Sequence, residues 1–131
     1  MIALDTNVLV RFLVEDDEVQ TARATALLRR AVEADKPLFI SDVVMCEVAW
    51  VLGTSYKVPR REIAAVLRRL VGVRHLTFAS ADVLVRALGA FDAGKGDFAD
   101  YVIREQAKMA GCTAVATFDG ALLKESGFER P

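Results

Sequence analysis

Residues 38–56 read LFISDVVMCEVAWVLGTSY, and this stretch decides the fold class. Leu38–Ile40 is a short apolar run that predicts a buried strand. Ser41 or Asp42 can cap the helix that follows, because either side chain can accept a hydrogen bond from an unpaired backbone N–H. That helix, about Val43–Tyr56, is apolar nearly all round, so we expect it to lie centrally in the molecule.

The same alternation of strand and helix extends from this unit towards both ends of the chain. Met1–Leu4 is a short apolar run that predicts another buried strand, and further strands are predicted at His75–Phe78 and Thr113–Thr117. Further helices are predicted at Val8–Val14, Glu18–Ala34, after Pro59, from Ser80 to Phe91, and at Asp97–Ala110. This alternation predicts an α/β fold in which helices cover both faces of a mostly parallel sheet. The length of 131 residues fits a single domain over residues 1–131.

The bulk composition limits the function classes. A net charge of −1 and a pI of about 5.8 count against a dedicated nucleic-acid binder, but less against an enzyme that concentrates acids around a metal ion. Cys46 and Cys112 form no CxxC motif, which indicates two reduced, buried thiols. The sequence shows no targeting segment and no membrane span, so we expect a soluble cytoplasmic protein that does not interact with membranes.

Acidic residues recur where strands give way to helices. Asp5 follows the first predicted strand, Asp119 follows the last, and Glu47 lies early in the helix after the second. Asp97 and Asp100 are three residues apart at the start of another helix, so they share a face. Because ligands bind outside the carboxyl ends of parallel strands, these segments predict one acidic site at that edge of the sheet.

Each acid taken alone could instead be a cap or turn residue, and Asp5 and Asp97 are well placed to cap helices. Glu47 differs, because it interrupts an apolar helix where a buried carboxylate is costly unless it is paired or bound to metal. No lysine or arginine lies within one helical turn of it. The set therefore favours Mg²⁺ or Mn²⁺, hard cations that prefer oxygen ligands and can promote hydrolysis of a phosphodiester.

Four segments place these acids in a familiar order: IALDTNV (2–8), IS (40–41) leading to CEV (46–48), DFADYVI (97–103) and ATFD (116–119). Together they resemble a PIN-domain nuclease, and within that group a VapC-type toxin of a type II toxin–antitoxin system. The resemblance covers essentially the whole chain. It implies a PIN-like three-layer α/β/α fold with a mostly parallel central sheet of four or five strands. It also implies a Mg²⁺- or Mn²⁺-dependent endoribonuclease acting on tRNA or other structured RNA.

The resemblance also suggests roles for individual residues. The catalytic acids of the family correspond here to Asp5, Glu47, Asp100 and Asp119. The expected metal ligands are Asp5, Asp97, Asp100 and Asp119, with Asp97 an additional acid that either orients the others or binds a second ion. Hydrogen bonds from Thr6, Asn7 and Thr117 would hold the carboxylates in place. Arg11 and Arg104 would contact phosphates, or else form salt bridges with acids of the site.

Such toxins commonly bind a VapB-type antitoxin protein and form homodimers, so both partners are expected beside the RNA substrate. The apolar helices Val43–Tyr56 and Ile63–Leu70 could supply a partner groove or simply belong to the core. Two alternatives stay open. One is a metal-dependent nuclease of the same fold acting on DNA. The other is a non-catalytic, receiver-like acidic metal-binding module, which is disfavoured because Asp5 is followed by Thr6 and not by a second acid.

Overall fold

A computed structural model describes residues 1–131 and contains five β-strands, six α-helices and one short 3-10 helix. The strands are β1 (Ile2–Ala3), β2 (Leu38–Ile40), β3 (Leu76–Phe78), β4 (Val115–Ala116) and β5 (Phe128–Glu129). The helices are α1 (Thr6–Val14), α2 (Glu18–Glu33), α3 (Asp42–Thr54), α4 (Arg60–Val71), α5 (Ala81–Ala93) and α6 (Phe98–Met109), and the 3-10 helix is Leu122–Lys124. A pair of α-helices therefore separates each strand from the next between β1 and β4.

The strands pair only in parallel. β1, β2 and β3 form one sheet in that order, with Ile2 opposite Leu38 and Leu38 opposite Leu76. β4 and β5 form a second, two-stranded parallel sheet. Helices flank the three-stranded sheet, which confirms the predicted three-layer α/β/α fold. The predicted sheet is divided into two hydrogen-bonded parts, and the sequence did not locate β5.

Two strand predictions need correction. The first strand was expected to be buried, but Ile2 is 59% exposed and only Leu4, just beyond β1, enters the core. The reason is the position of β1 at the edge of its sheet, where β2 is its only hydrogen-bonded neighbour. β4 is also shorter than the predicted Thr113–Thr117.

The helix starts follow the predicted chemistry. The Ser41 hydroxyl accepts a 3.2 Å hydrogen bond from the Val44 N–H, so Ser41 caps α3. Ser80 caps α5 in the same way, and Pro59 immediately precedes α4. α3 buries one face only, since Trp50 on its other side is 62% exposed.

One cluster of 25 buried apolar residues forms the core and draws on both sheets, from Leu4 to Phe128. Both cysteines are free, but Cys112 is exposed and only Cys46 is partly buried, so the prediction of two buried thiols was wrong for Cys112. None of the helices combines the length and the hydropathy needed to cross a bilayer.

Candidate functional site

Asp5 stands where β1 ends and α1 begins. Its backbone is extended, with φ of −82° and ψ of 162°, as expected for a residue that precedes a helix. Its side chain nevertheless makes no capping hydrogen bond, and the residue is exposed. The alternative role of Asp5 as a helix cap is therefore wrong, and its carboxylate is open to a ligand.

Glu47 is joined to the start of α1 by a hydrogen bond. The buried Thr6 hydroxyl donates to Oε2 of Glu47 at 2.8 Å, which links α1 to α3. Glu47 itself is exposed, so the expectation of a buried carboxylate was wrong. Glu47 lines an open cleft beside α3. Met45 and Val48, on another face of the same helix, are buried in the core.

Asp97 and Asp100 lie together at the start of α6. The Asp97 N–H donates a 2.8 Å hydrogen bond to Oδ2 of Asp100, and the Asp100 N–H donates to the backbone carbonyl of Asp97 at 3.0 Å. Asp97 is exposed and Asp100 is partly buried. Asp100 therefore fixes the entry to its own helix and still presents its second carboxylate oxygen.

The loop before α6 is clamped by a buried tyrosine. Tyr101 OH accepts a 2.8 Å hydrogen bond from the Gly96 N–H and donates to the Glu125 carboxylate at 2.8–2.9 Å. Gly94 lies so close to this pair that a Cβ there would overlap Tyr101 OH and stand 2.5 Å from Glu125 Oε1. The position of Asp97 is thus set by the C-terminal segment through Glu125.

Asp119 lies between β4 and the 3-10 helix. Its Oδ1 accepts hydrogen bonds from the N–H groups of Ala121 at 2.9 Å and Leu122 at 3.3 Å. Its own N–H donates to Thr117 Oγ1 at 3.0 Å. Thr117 was expected to bond to a carboxylate, but it holds the backbone of Asp119 instead. Asp119 keeps Oδ2 available.

The acids influence one another electrostatically. Burial raises the pKa of the Asp100 carboxyl above its ordinary value, and the nearby carboxylates of Asp97, Asp119 and Glu125 add to the rise, against the opposing Asp97 N–H bond. Burial, followed by the charges of Asp42, Asp100 and Glu47, raises the pKa of Cys46 to about 11. Acids from α3, from α6 and from the segment after β4 therefore gather around one region.

A comparison against protein-family models identifies the family of this chain. The model of the PIN domain matches residues 2–126, nearly the whole chain. The chain belongs to the PIN domain family. PIN domains are generally nucleases that hydrolyse phosphodiesters and generally use divalent metals. The search of curated protein sequences finds no match.

The candidate acids of this PIN domain offer the type of ligand atom that a hard divalent cation prefers. All the side chains concerned offer carboxylate oxygens, and their mutual repulsion at Asp100 is the kind that a cation relieves. One oxygen of Asp42, Oδ1, is buried without a hydrogen-bond donor, while its Oδ2 accepts from Gln106 at 2.8 Å. In this conformation no three acidic, histidine or cysteine side chains are close enough to ligate one ion directly. Water-bridged ligation, which Mg²⁺ commonly keeps, suits such spacing.

Arg104 was expected to face the acids, but the structure uses it elsewhere. It is 9% exposed, donates to Glu105 at 3.1 Å and to the Ser126 carbonyl at 3.0 Å, and lies over the Tyr101 and Phe128 rings. These contacts occupy the guanidinium inside the protein. The predicted phosphate contact of Arg104 is therefore not supported, and its salt bridge is with an acid outside the site.

Asn7 and Arg11 lie on the outer face of α1. Arg11 donates to Gln20 at 2.6 Å, to Asp16 at 3.1 Å and to Tyr56 at 3.0 Å, so its salt bridge, too, is with an acid outside the candidate set. Asn7 and Arg11 line a cavity of about 360 Å³ that also contacts Arg23 and Arg30. Asn7 thus faces a basic surface, whereas the Thr6 side chain bonds to Glu47.

Two acids of the region were missed by the sequence analysis. Glu125 lies in a short segment after Asp119 with no helical or strand periodicity, so nothing in the sequence indicated that it would reach Tyr101. Asp42 was assigned only as an alternative cap for α3. Asp42 follows β2 and lies one helical turn before Cys46, and these two features could have indicated that it belongs to the acidic region.

Proposed function

We propose that this PIN domain is a Mg²⁺- or Mn²⁺-dependent endoribonuclease that cuts tRNA or another structured RNA, and that it is the toxin of a VapBC-type pair. The observation that carries the nuclease function is the match of the PIN-domain model to residues 2–126. The 2.8 Å hydrogen bond from the Asp97 N–H to Asp100 supports the proposed site, because it holds two of the acids together at the start of α6. The hydrogen bond between Thr6 and Glu47 further supports the site, because it joins the start of α1, where Asp5 lies, to α3.

In the proposed site Asp5 and Asp100 are the principal metal ligands, and Asp119 and Asp97 complete the ligand set. The bound cation supplies Lewis acidity at the scissile phosphate. Glu47, held by Thr6, accepts a hydrogen bond from the attacking water and receives its proton. The new oxygen–phosphorus bond forms as the bond to the 3′ oxygen breaks in line. The products are a 5′-phosphate and a 3′-hydroxyl, whose oxygen takes up a proton from solvent water.

Further side chains support this site. Thr117 fixes the backbone of Asp119, and Asn7 borders the basic cavity on α1. Arg23 and Arg30 at that cavity are the proposed contacts for flanking phosphates, which strengthen binding without reading sequence. Arg11 is proposed to join them on binding, because its side chain is still 25% exposed although it bonds to Gln20, Asp16 and Tyr56. Arg104 is left out of this set because its guanidinium is committed to Glu105 and Ser126.

The proposed partners are a VapB-type antitoxin and a second copy of the chain. An apolar groove of about 560 Å³ between α1, α3 and α4 supports the first, since an amphipathic helix binds such a groove through regularly spaced apolar side chains. Phe12, Leu13, Val66 and Leu70 line this groove. Its charged rim residues, Glu62 and Arg69, would orient the partner.

The deciding experiment is cleavage of total tRNA and of matched single-stranded and duplex DNA by purified, antitoxin-free protein. Reactions contain Mg²⁺, Mn²⁺ or a chelator, and compare the wild type with Asp5→Asn. Asp35→Asn is the matched control, because Asp35 precedes β2 at the opposite edge of the sheet and contacts Arg74 and His75. We expect RNA cleavage that requires the divalent ion, survives Asp35→Asn and is lost with Asp5→Asn.

Other outcomes would redirect or remove the proposal. Preferential cleavage of DNA would establish the DNA-directed alternative of the same fold. Cleavage that persists at the wild-type rate in Asp5→Asn would show that Asp5 is not a principal metal ligand. Calorimetry that detects no binding of Mg²⁺ or Mn²⁺ to the wild type would rule out the metal-dependent mechanism.

A further inference from the structure

The two most exposed aromatic side chains of this protein are close in the chain to candidate acids. Of the ten aromatic residues, only Trp50 and Phe118 are largely exposed, at 62% and 91%. Trp50 lies one helical turn after Glu47 on α3, and Phe118 immediately precedes Asp119. The other large exposed apolar side chains are aliphatic. Both solvent-facing rings therefore adjoin proposed catalytic acids.

Trp50 lines a cleft of about 510 Å³. Glu47 and Trp50 form part of one wall on α3, and Asp97 and Phe98 belong to the opposite wall at the start of α6. The surface between them is mainly apolar, with carboxylates at two points. Flat apolar walls suit the faces of a nucleobase, and the carboxylates can accept hydrogen bonds from its N–H groups.

Arg60 is the only basic residue that lines this cleft, and it is held by contacts within the protein. Its guanidinium donates to the Phe91 carbonyl at 2.7 Å and to the Gly96 carbonyl, and stacks 4.0 Å from the centre of the Phe91 ring. The carboxylates of Glu47 and Asp97 in the walls would repel any phosphate that is not bound to the cation. The chemistry of the cleft therefore favours a base over a phosphate.

The net charge of the protein also favours a nucleobase as the ligand of this cleft. At a net charge of −1 the protein has little general attraction for a polyanion. Stacking of bases on aromatic side chains is the other main source of affinity for single strands, and it strengthens binding about tenfold or more per base. It also requires the base to leave a helix, which unpaired loops and ends already allow.

We propose that Trp50 holds one unstacked nucleobase in the cleft beside Glu47, and that Phe118 holds another base at the Asp119 end of the acidic region. This inference rests on the proposed nuclease function and names its substrate class as an unpaired RNA segment. The two rings position the strand so that the phosphate between the held bases lies over the acids. Duplex RNA offers neither ring an accessible base face.

Trp50 is the only tryptophan, so its fluorescence reports directly on the cleft. The probes are an eight-nucleotide oligouridylate, an eight-nucleotide oligoadenylate and an abasic ribose-phosphate oligomer of equal length. They are titrated into full-length Asp5→Asn protein with Mg²⁺, and the readouts are quenching and fluorescence polarisation of an end label. We expect both base-containing oligomers to quench Trp50 and to bind about tenfold more tightly than the abasic oligomer.

Variants separate stacking from general binding. Trp50→Leu should weaken binding of the base-containing oligomers about tenfold and leave the abasic oligomer unaffected, whereas Trp50→Phe should restore most of the affinity. Phe118→Leu should weaken binding while Trp50 is still quenched. Val19→Ala, at an exposed apolar position on α2, is the control and should bind like its parent.

Equal binding of abasic and base-containing oligomers, or unchanged binding by Trp50→Leu, would overturn the inference. So would Trp50 emission that shifts with protein concentration alone, since a second copy of the chain would then cover the cleft. Quenching by oligomers without cleavage by the wild type in any metal would reject the nuclease and leave base stacking standing. Cleavage by the wild type without quenching would reject base stacking alone.

Discussion

The Thr6 hydroxyl and the Glu47 carboxylate are joined by a 2.8 Å hydrogen bond between residues 41 positions apart in the sequence. Thr6 is buried at the first position of α1, whereas Glu47 is exposed on α3. A buried donor that holds an exposed carboxylate restricts the directions in which that carboxylate can point. This bond is thus a direct contact between the segment of Asp5 and the segment of Glu47.

Thr6→Val keeps the shape of the side chain and removes this donor. Because Glu47 is exposed, water can replace the lost bond, and the free energy of unfolding should fall by only about 1 kcal/mol. Cleavage should fall more, by about tenfold, because Glu47 loses its orientation. Thr21→Val, which removes a 3.2 Å bond from Thr21 to the Arg11 carbonyl, is the control. Equal cleavage by both variants in a single-turnover assay would contradict the prediction.

Asp100→Asn should abolish cleavage without lowering the thermal stability of the protein. Burial and neighbouring carboxylates raise the folded-state pKa of Asp100, so its protonated form favours folding and this contribution is lost as pH rises through that pKa. Asparagine removes the charge and can still accept the Asp97 N–H. We expect the metal-free variant to melt at or above the wild-type temperature at pH 7.5 in thermal unfolding with a chelator, and to be inactive.

The same melting experiment tests metal binding. A cation that binds only the folded state at 100 times its Kd stabilises the protein by about 2.7 kcal/mol. Mn²⁺ should therefore raise the melting temperature of the wild type in a concentration-dependent manner and have much less effect on Asp100→Asn. An equal rise in both proteins would show that Asp100 is not a ligand.

Gly94→Ala should disrupt the loop before α6. The added Cβ would overlap Tyr101 OH, and the neighbouring Glu125 leaves little space for the tyrosine to move. Overpacking of this kind costs about 1–3 kcal/mol of unfolding free energy. Gly89→Ala is the matched control, because no atom lies within 4 Å of a Cβ there and alanine favours helix α5 by about 0.5–1 kcal/mol. Urea unfolding should move the two midpoints in opposite directions.

Glu105→Gln should show a pH-dependent loss of stability. Burial opposes ionisation of Glu105, but hydrogen bonds from Lys108 and Arg104 outweigh it and hold its pKa below the ordinary value. The stabilising effect of this carboxylate is therefore present above its unfolded-state pKa and is lost as pH falls through the folded-state pKa. The substitution removes the negative charge that pairs with the buried Arg104, although the amide oxygen can still accept a hydrogen bond, and we expect it to lower the free energy of unfolding by about 1–3 kcal/mol at pH 7.

Chemical unfolding at pH 7 and at pH 3 checks this expectation. The difference in free energy of unfolding between the wild type and Glu105→Gln should be smaller at pH 3, because protonation removes the same charge from the wild type. Glu33→Gln, at an exposed position near the end of α2, should show little difference at either pH. If the difference in free energy of unfolding between the two proteins is the same at both pH values, the charge of Glu105 does not stabilise the fold.

Sequence reasoning located the features that local chemistry determines. The Ser41 cap, the alternation of strands with helix pairs, and the acids after β1 and β4 all follow from neighbouring residues, and the structure shows them. The PIN-domain match then confirmed the family. The proposed assignment of catalytic and metal-binding roles to these acids is still a prediction.

What sequence reasoning missed depends on contacts between distant segments. Arg104 was placed beside the acids because it lies one turn after Asp100, but the segment with Ser126 and Phe128 folds over α6 and takes its guanidinium. That segment has too few residues of regular structure to produce a periodic pattern. Glu47 was expected to be buried because its neighbours are apolar, yet which face of α3 meets the core depends on how the other helices pack.

The bond between Tyr101 and Glu125 has a consequence for how the protein is made. During synthesis on a ribosome, Asp5, Glu47 and Asp100 emerge before the residues that clamp the loop at Gly96. A nascent chain that ends before Glu125 therefore carries most of the acids without the contact that sets their final arrangement. The order of translation thus delays the completed site until Glu125 has been synthesised.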